Sequence, residues 1–199
     1  MTLTIKVTNV TATFSLSCKI NLSILANCIS NVEYAPKRKN SATYRNVDPR
    51  FTALIHTSGN VILVGVKSEK DVRMAATAIV QKLKENSFPV SLHRLRFSNI
   101  AAAGNLNFRL NLPTFYERTN LKINADFNPE LFPGMICTFP GTNCKATFFT
   151  TGKFIITGSK SILDLTSNLK NIENDIELMN PNSHENIMAE LEGYILKAM

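Results

Sequence analysis

The chain repeats itself. Residues 144–161 read CKATFFTTGKFIITGSKS, and residues 51–68 read FTALIHTSGNVILVGVKS, with 7 of 18 positions identical at an offset of 93. Residues 7–22 (VTNVTATFSLSCKINL) match 97–112 (FSNIAAAGNLNFRLNL) at an offset of 90, pairing Asn9 with Asn99 and Leu22 with Leu112. Pro36 then pairs with Pro129 and Lys39 with Phe132, again 93 apart, so about three residues are inserted in the second copy. A self-similarity of this period is the strongest constraint on a fold that a single sequence offers. Two copies fill most of 199 residues, which predicts pseudo-twofold symmetry within one chain; an open solenoid needs more repeats to bury its core. The copies differ where it matters chemically: Phe149 faces His56 across the alignment, and Phe132 faces Lys39.

Each copy reads as strand, short helix, strands, then a longer helix. Residues 68–86 carry helical apolar spacing at Val72, Ala75, Ala76, Ile79 and Leu83. They open on Ser68-x-x-Asp71, as the second long helix opens on Ser161-x-x-Asp164, a capping-box spacing. In the hairpin TALIHTSGNVILVG, Ile55, Val61 and Leu63 fall on one face and Leu54, Ile62 and Val64 on the other. In the second copy Phe148, Phe154 and Ile156 oppose Phe149 and Ile155. Antiparallel sheets normally wet one face and so alternate apolar with polar. Here both faces are apolar, while the helices suffice for one. The other requires a cover: a second sheet, a second copy, or a ligand.

Composition narrows the classes. At 44% hydrophobic and 19% charged residues the chain buries a substantial core. No apolar run reaches membrane-helix length, so no membrane partner is expected. The N-terminal MTLTIKVTNV alternates like a strand and lacks a signal-peptide core. Cys18, Cys28, Cys137 and Cys144 form no Cys-x-x-Cys pair, and His56, His93 and His184 lack ligand spacing, so reduced thiols and no metal or cofactor are expected. No nucleophile–base signature and no phosphate-binding glycine loop is present, which argues against an enzyme. Charge is lopsided: residues 1–98 hold 14 Lys+Arg and 5 Asp+Glu, residues 99–199 hold 8 and 10. One end is therefore suited to a polyanion or an acidic partner.

The segments TNVTATFSLSCKINL, NVEYAPKR, TALIHTSGNVILVGVKSE, FSNIAAAGNL, NPELFPGMI and TTGKFIITGSK resemble the core of the TATA-box-binding protein family over about residues 5–180. The resemblance implies an α+β fold: a pseudo-twofold saddle, a curved antiparallel ten-stranded sheet with helices on its convex face and its underside on the DNA minor groove. It implies a first repeat at 1–96, a second at 97–180, and a C-terminal extension at 181–199, where Ile187, Leu191 and Ile195 share a helical face. The minor groove of A·T pairs shows only acceptors and that of G·C adds a donor, so an apolar underside favours A·T. Aromatic wedges unstack base steps, and the family is itself a known case of a kink of about 80°.

Carried over residue by residue, the resemblance places Asn9 and Asn99 near the pseudo-dyad as donors to base acceptors. Leu54, Ile62 and Ile155 keep aliphatic groove contacts. Thr157 keeps the groove-floor Thr, which is Val64 in the first copy. Thr11 and Ala101 replace family valines, and Thr147 a leucine. Phe132 and Phe149, with Pro133 beside the first, keep one kinking pair, whereas Lys39 and His56 replace the other. Phosphate-contact positions match Arg38, Arg45, Ser58, Lys67, Thr151, Lys153 and Lys160. Glu130 and Leu131 match the surface for transcription factor IIB, with Asn128 at an expected Glu. Arg45 and Arg73 match that for transcription factor IIA, with Ala78 and Glu85 at expected lysines. The pattern resembles the TBP-like, or TBP-related, factors, and NLPTF (111–115) resembles a segment of that group. Two functions are implied: a nuclear initiation factor that binds A·T-rich duplex DNA mainly through its second copy, or a platform for factors IIA and IIB with little DNA binding. A homodimer through the underside is compatible with both.

Overall fold

The computed structural model describes residues 4–119, 124–138 and 144–177. The extension at 181–199 lies outside the described residues. The chain divides into two compact units, residues 9–98 and residues 1–8 with 99–199, so the division cuts through two strands.

The first element set is β1 (Thr4–Ser15), α1 (Leu22–Cys28), β2 (Val32–Glu33), β3 (Ser41–Asn46), β4 (Phe51–His56), β5 (Asn60–Val66) and α2 (Glu69–Glu85). The second is β6 (His93–Asn105), α3 (Leu112–Thr119), β7 (Asn124–Asp126), β8 (Gly134–Thr138), β9 (Lys145–Phe149), β10 (Lys153–Ser159) and α4 (Ile162–Glu177). The predicted strand–helix–strands–helix order thus appears twice. The ten strands form one sheet in the order β2-β3-β4-β5-β1-β6-β10-β9-β8-β7, the two halves running as mirror-ordered copies. Pairing is antiparallel within each copy, as between β4 and β5 and between β9 and β10.

Within residues 9–98 the predicted faces separate. Ile55, Val61 and Leu63 are buried beneath the helices, with Val72, Ala75, Ala76, Ile79 and Leu83 of α2 against them. Leu54, Ile62 and Val64 stay half-exposed. Within residues 99–177, Phe148, Phe154 and Ile156 are buried, and Phe115 of α3 meets Phe148 edge-on at 5.4 Å between ring centroids. Each such fully buried large side chain contributes about 1.5–3 kcal/mol. In both units the helices cover one face and leave the other open.

The hairpin turns need their glycines. Gly59 has φ +85, and a Cβ there would lie 2.0 Å from the Cys18 carbonyl oxygen. Gly152 has φ +82 and meets the Phe108 carbonyl oxygen at the same distance. Each turn is thereby pressed against the end of the leading strand, with Leu16 N–H donating to Gly59 O and Leu106 N–H to Gly152 O. The long helices start as their Ser-x-x-Asp spacing predicts. Ser68 Oγ accepts from Asp71 N and Ser161 Oγ from Asp164 N, each at 3.0 Å. The reciprocal half of the box lands one residue early: Asp164 Oδ2 accepts from Lys160 N at 2.7 Å, not from the Ser161 N–H. Among the described residues no helix is long and apolar enough to cross a membrane.

Candidate nucleic-acid interface

The open face of each unit is built in transverse rows set by strand register. In residues 9–98, Thr43, Leu54, Ile62 and Thr13 stand side by side. In the other unit the equivalent row is Ile136, Thr147, Ile155 and Ala103. These rows carry the aliphatic positions Leu54, Ile62 and Ile155, the last 43% exposed. Flanking rows hold Val64 opposite Thr52, and Thr157 opposite Lys145. Alternation places Lys145 on the open face with Thr147 and Phe149, a position that sequence reading passed over.

Asn9 and Asn99 are held by equivalent bonds. Asn9 Oδ1 accepts from Gly65 N at 2.8 Å, and Asn99 Oδ1 from Gly158 N at 2.7 Å. A backbone N–H only donates, so each amide must turn its oxygen inward and its Nδ2 donors outward. That orientation suits the acceptor-only floor of an A·T minor groove. The two copies then part. Asn9 Nδ2 donates to Thr11 Oγ1 at 3.1 Å, while the equivalent of Thr11 is Ala101, which has no acceptor on its side chain. Backbone at both positions is fixed alike: Thr8 Oγ1 donates to Ala101 O and Ser98 Oγ to Thr11 O, each at 3.1 Å.

The aromatic pair is assembled. Phe132 and Phe149 meet edge to face with centroids 6.0 Å apart, and Phe132 is 42% exposed beside exposed Pro133. Gly134 makes room for them. It sits opposite Phe149 in the ladder, and a Cβ on it would lie 2.7 Å from Phe132 Cε1 and 3.0 Å from Phe149 Cε1. The same ladder position in the first copy is Ser41, opposite His56. So the first copy has lost both rings and the gap that seats them. The offset of 93 between Ser41 and Gly134 carried this signal in the sequence.

The turn before the ring pair is conserved in geometry. Phe132 N donates to Asn128 O, as Lys39 N donates to Ala35 O, which confirms the pairing of Lys39 with Phe132. Asn128 Oδ1 also accepts from Glu130 N at 3.1 Å, so the Asn that replaces an expected Glu stabilises this turn. Glu130 is exposed and Leu131 is 83% exposed at its tip.

The cations are placed unevenly. Arg38, Lys67, Lys153 and Lys160 are exposed. Arg45 lies on the open face of β3 but pairs with Glu33 on β2 at 2.8 Å. Such an exposed pair is worth at most about 1 kcal/mol, so a phosphate displaces it cheaply. Arg73 stacks over the Phe97 ring at 5.7 Å on the helix side. Ser58 and Thr151 Oγ accept from Asn60 N and Lys153 N in the two hairpin turns, leaving each hydroxyl proton to donate. Sequence reading also missed Arg94 and Arg96, exposed at the start of β6.

Comparison with known proteins agrees with this geometry. The family described as "Transcription factor TFIID (or TATA-binding protein, TBP)" matches residues 4–86 and 94–178. A TATA-box-binding protein of Pyrodictium occultum is 34% identical over 159 residues, 79% of this chain and 78% of that protein. The TBP-related factor of Drosophila melanogaster is 32% identical over 171 residues, 84% of this chain and 74% of that protein. The mouse TATA box-binding protein-like 2 is 32% identical over 82% of this chain but only 47% of its own length, so the chain spans about half of that relative. The solved structure of Methanococcus jannaschii TBP superposes with a TM-score of 0.78 at 28% identity, covering 87% of this chain and 98% of that one.

Proposed function

The chain belongs to the TATA-binding protein family, and on that premise we propose that it is an initiation factor that grips promoter DNA in the minor groove and wedges it from one repeat only. The observation that carries this reading is the contrast between Phe132 and Phe149, seated over Gly134, and Lys39 and His56, paired with Ser41. Two phenyl rings unstack a base step, whereas a lysine and a histidine do not. Asn9, Asn99, Leu54, Ile62, Val64, Ile155 and Thr157 supply an A·T-tolerant floor. Arg38, Lys67, Lys153 and Lys160 add sequence-independent phosphate contacts. Factor IIB docks at Glu130 and Leu131, factor IIA at Arg45 and Arg73, and the protein works in the nucleus.

Phe149→Ala tests it. Phe149 is half-exposed, so the variant folds, and it is expected to weaken binding to an A·T-rich duplex by tenfold or more and to remove most of the bend, as loss of a few kcal/mol of wedge contact implies. Unchanged affinity and bend on a tightly bound duplex would sink the reading.

A second reading, a platform for protein partners with little DNA binding, is supported by Leu131, 83% exposed, and by the engagement of Arg45 with Glu33 and of Asn9 with Thr11. Tight, A·T-selective binding by the isolated protein excludes it.

A further inference from the structure

We propose that the first repeat replaces its lost wedge with a phosphate-holding groove, in which Arg94 and Arg96, with His56 at its wall, clasp the backbone of the same duplex. The inference rests on the chain binding DNA and names what its first repeat does there. Within residues 9–98 a groove of about 520 Å³ opens on the uncovered face, lined by Thr13, Ser15, His56, Ser58, Arg94 and Arg96. It adjoins a second that shares Ser15, Ser58 and Arg94 and adds Lys19. Neither is lined by a carboxylate, and among the described residues no acid pairs with either arginine.

The chemistry is that of a phosphodiester site. Arg94 and Arg96 both line this groove, so the two guanidinium groups reach the same opening. Each offers a planar fork that meets phosphate oxygens in pairs, which a lysine does not. The Ser15 and Ser58 hydroxyls stand beside them as further donors. Arg94 holds φ at +55, a conformation uncommon for a non-glycine residue.

The other compact unit, residues 1–8 with 99–199, shows what has been exchanged. The counterparts of Arg94 and Arg96 at an offset of 90 are Thr4 and Lys6. The counterparts of His56 and Asn60 at an offset of 93 are Phe149 and Lys153. Where that unit has a ring for the base stack, the unit of residues 9–98 has an imidazole and two arginines. Its charge has moved from the hairpin tip to the neighbouring strand. Rings recognise base faces; this groove recognises backbone oxygens, which carry no sequence information but fix position.

The experiment measures duplex affinity from 50 to 200 mM salt, together with bend, for the full chain, Arg94→Gln/Arg96→Gln, Phe149→Ala, and Lys170→Gln on exposed α4 as a control. Circular dichroism checks that each variant folds. Each lost phosphate contact lowers the slope of log K against log salt by about 0.9. The double variant is expected to lose about 2 from that slope and keep the wild-type bend. Phe149→Ala is expected to keep the slope and lose the bend, and Lys170→Gln to keep both. A double variant with the wild-type slope, or one matched by Lys170→Gln, overturns the groove while leaving DNA binding intact. A wild-type chain that binds no duplex overturns both readings together.

Discussion

Gly134 decides whether the aromatic pair exists. Adding one methyl there brings a carbon to 2.7 Å from the Phe132 ring and 3.0 Å from that of Phe149, and both rings must move. Gly134→Ala is expected to reduce DNA bending nearly as much as Phe149→Ala, while thermal unfolding changes little because the rings lie at the surface. A wild-type bend in Gly134→Ala would show that the rings find another seat. Thr11 acts on the other copy. Its hydroxyl takes one Nδ2 proton of Asn9, so Thr11→Val is expected to free that donor for a base acceptor and tighten binding to A·T-rich duplex about fivefold, the worth of roughly 1 kcal/mol of hydrogen bond. Unchanged or weaker binding would mean that the Thr11 bond breaks at no cost when DNA arrives. The two asparagines were legible in the sequence, because the repeat aligned them. The Thr11 bond was not, because it depends on two side-chain rotamers. Gly134 lay between: its repeat partner Ser41 was visible, but its role follows only from the ladder that sets it against Phe149.

At the scale of elements, hairpins and helix starts carry the fold. Gly59→Ala and Gly152→Ala each force a Cβ against a backbone oxygen in a left-handed turn, where neither partner yields. Either is expected to cost on the order of 3–4 kcal/mol, the upper range for single substitutions, and a melting temperature within a degree or two of wild type would contradict this. Ser68→Ala is expected to cost about 1 kcal/mol through loss of the Asp71 N–H acceptor. Below α4, burial pushes the Cys144 thiol up to about 11, against 9.0 ordinarily. The folded protein thus keeps a proton that the unfolded chain releases, so this contribution to stability is whole below about pH 9 and is lost as pH rises towards 11. Denaturant unfolding across that range checks it, with Cys144→Ala expected to flatten the decline. These elements were readable because period-2 and period-3.6 patterns and Ser-x-x-Asp starts are local signals. The displaced half of the second capping box was not, since Asp164 chooses between two neighbouring N–H groups by backbone angle.

For the whole molecule, the doubled sequence predicted the doubled element order, the family resemblance implied the ten-stranded sheet, and the apolar second face predicted that something must cover it. Composition could not say what. The charge excess of residues 1–98 was visible, but its concentration by Arg94 and Arg96 was not, because these residues precede the matched segment that starts at 97 and only the folded groove brings them beside His56 and Ser58. The central claim is that the repeats divide the work, one wedging bases and the other holding backbone. The most direct test is the bend of an A·T-rich duplex bound to the purified chain, read by fluorescence from dye pairs that report each end separately. The expected result is one kink, with an overall bend well below the family's roughly 80°, that disappears in Phe149→Ala. Two equal kinks, or a straight bound duplex, would contradict the account.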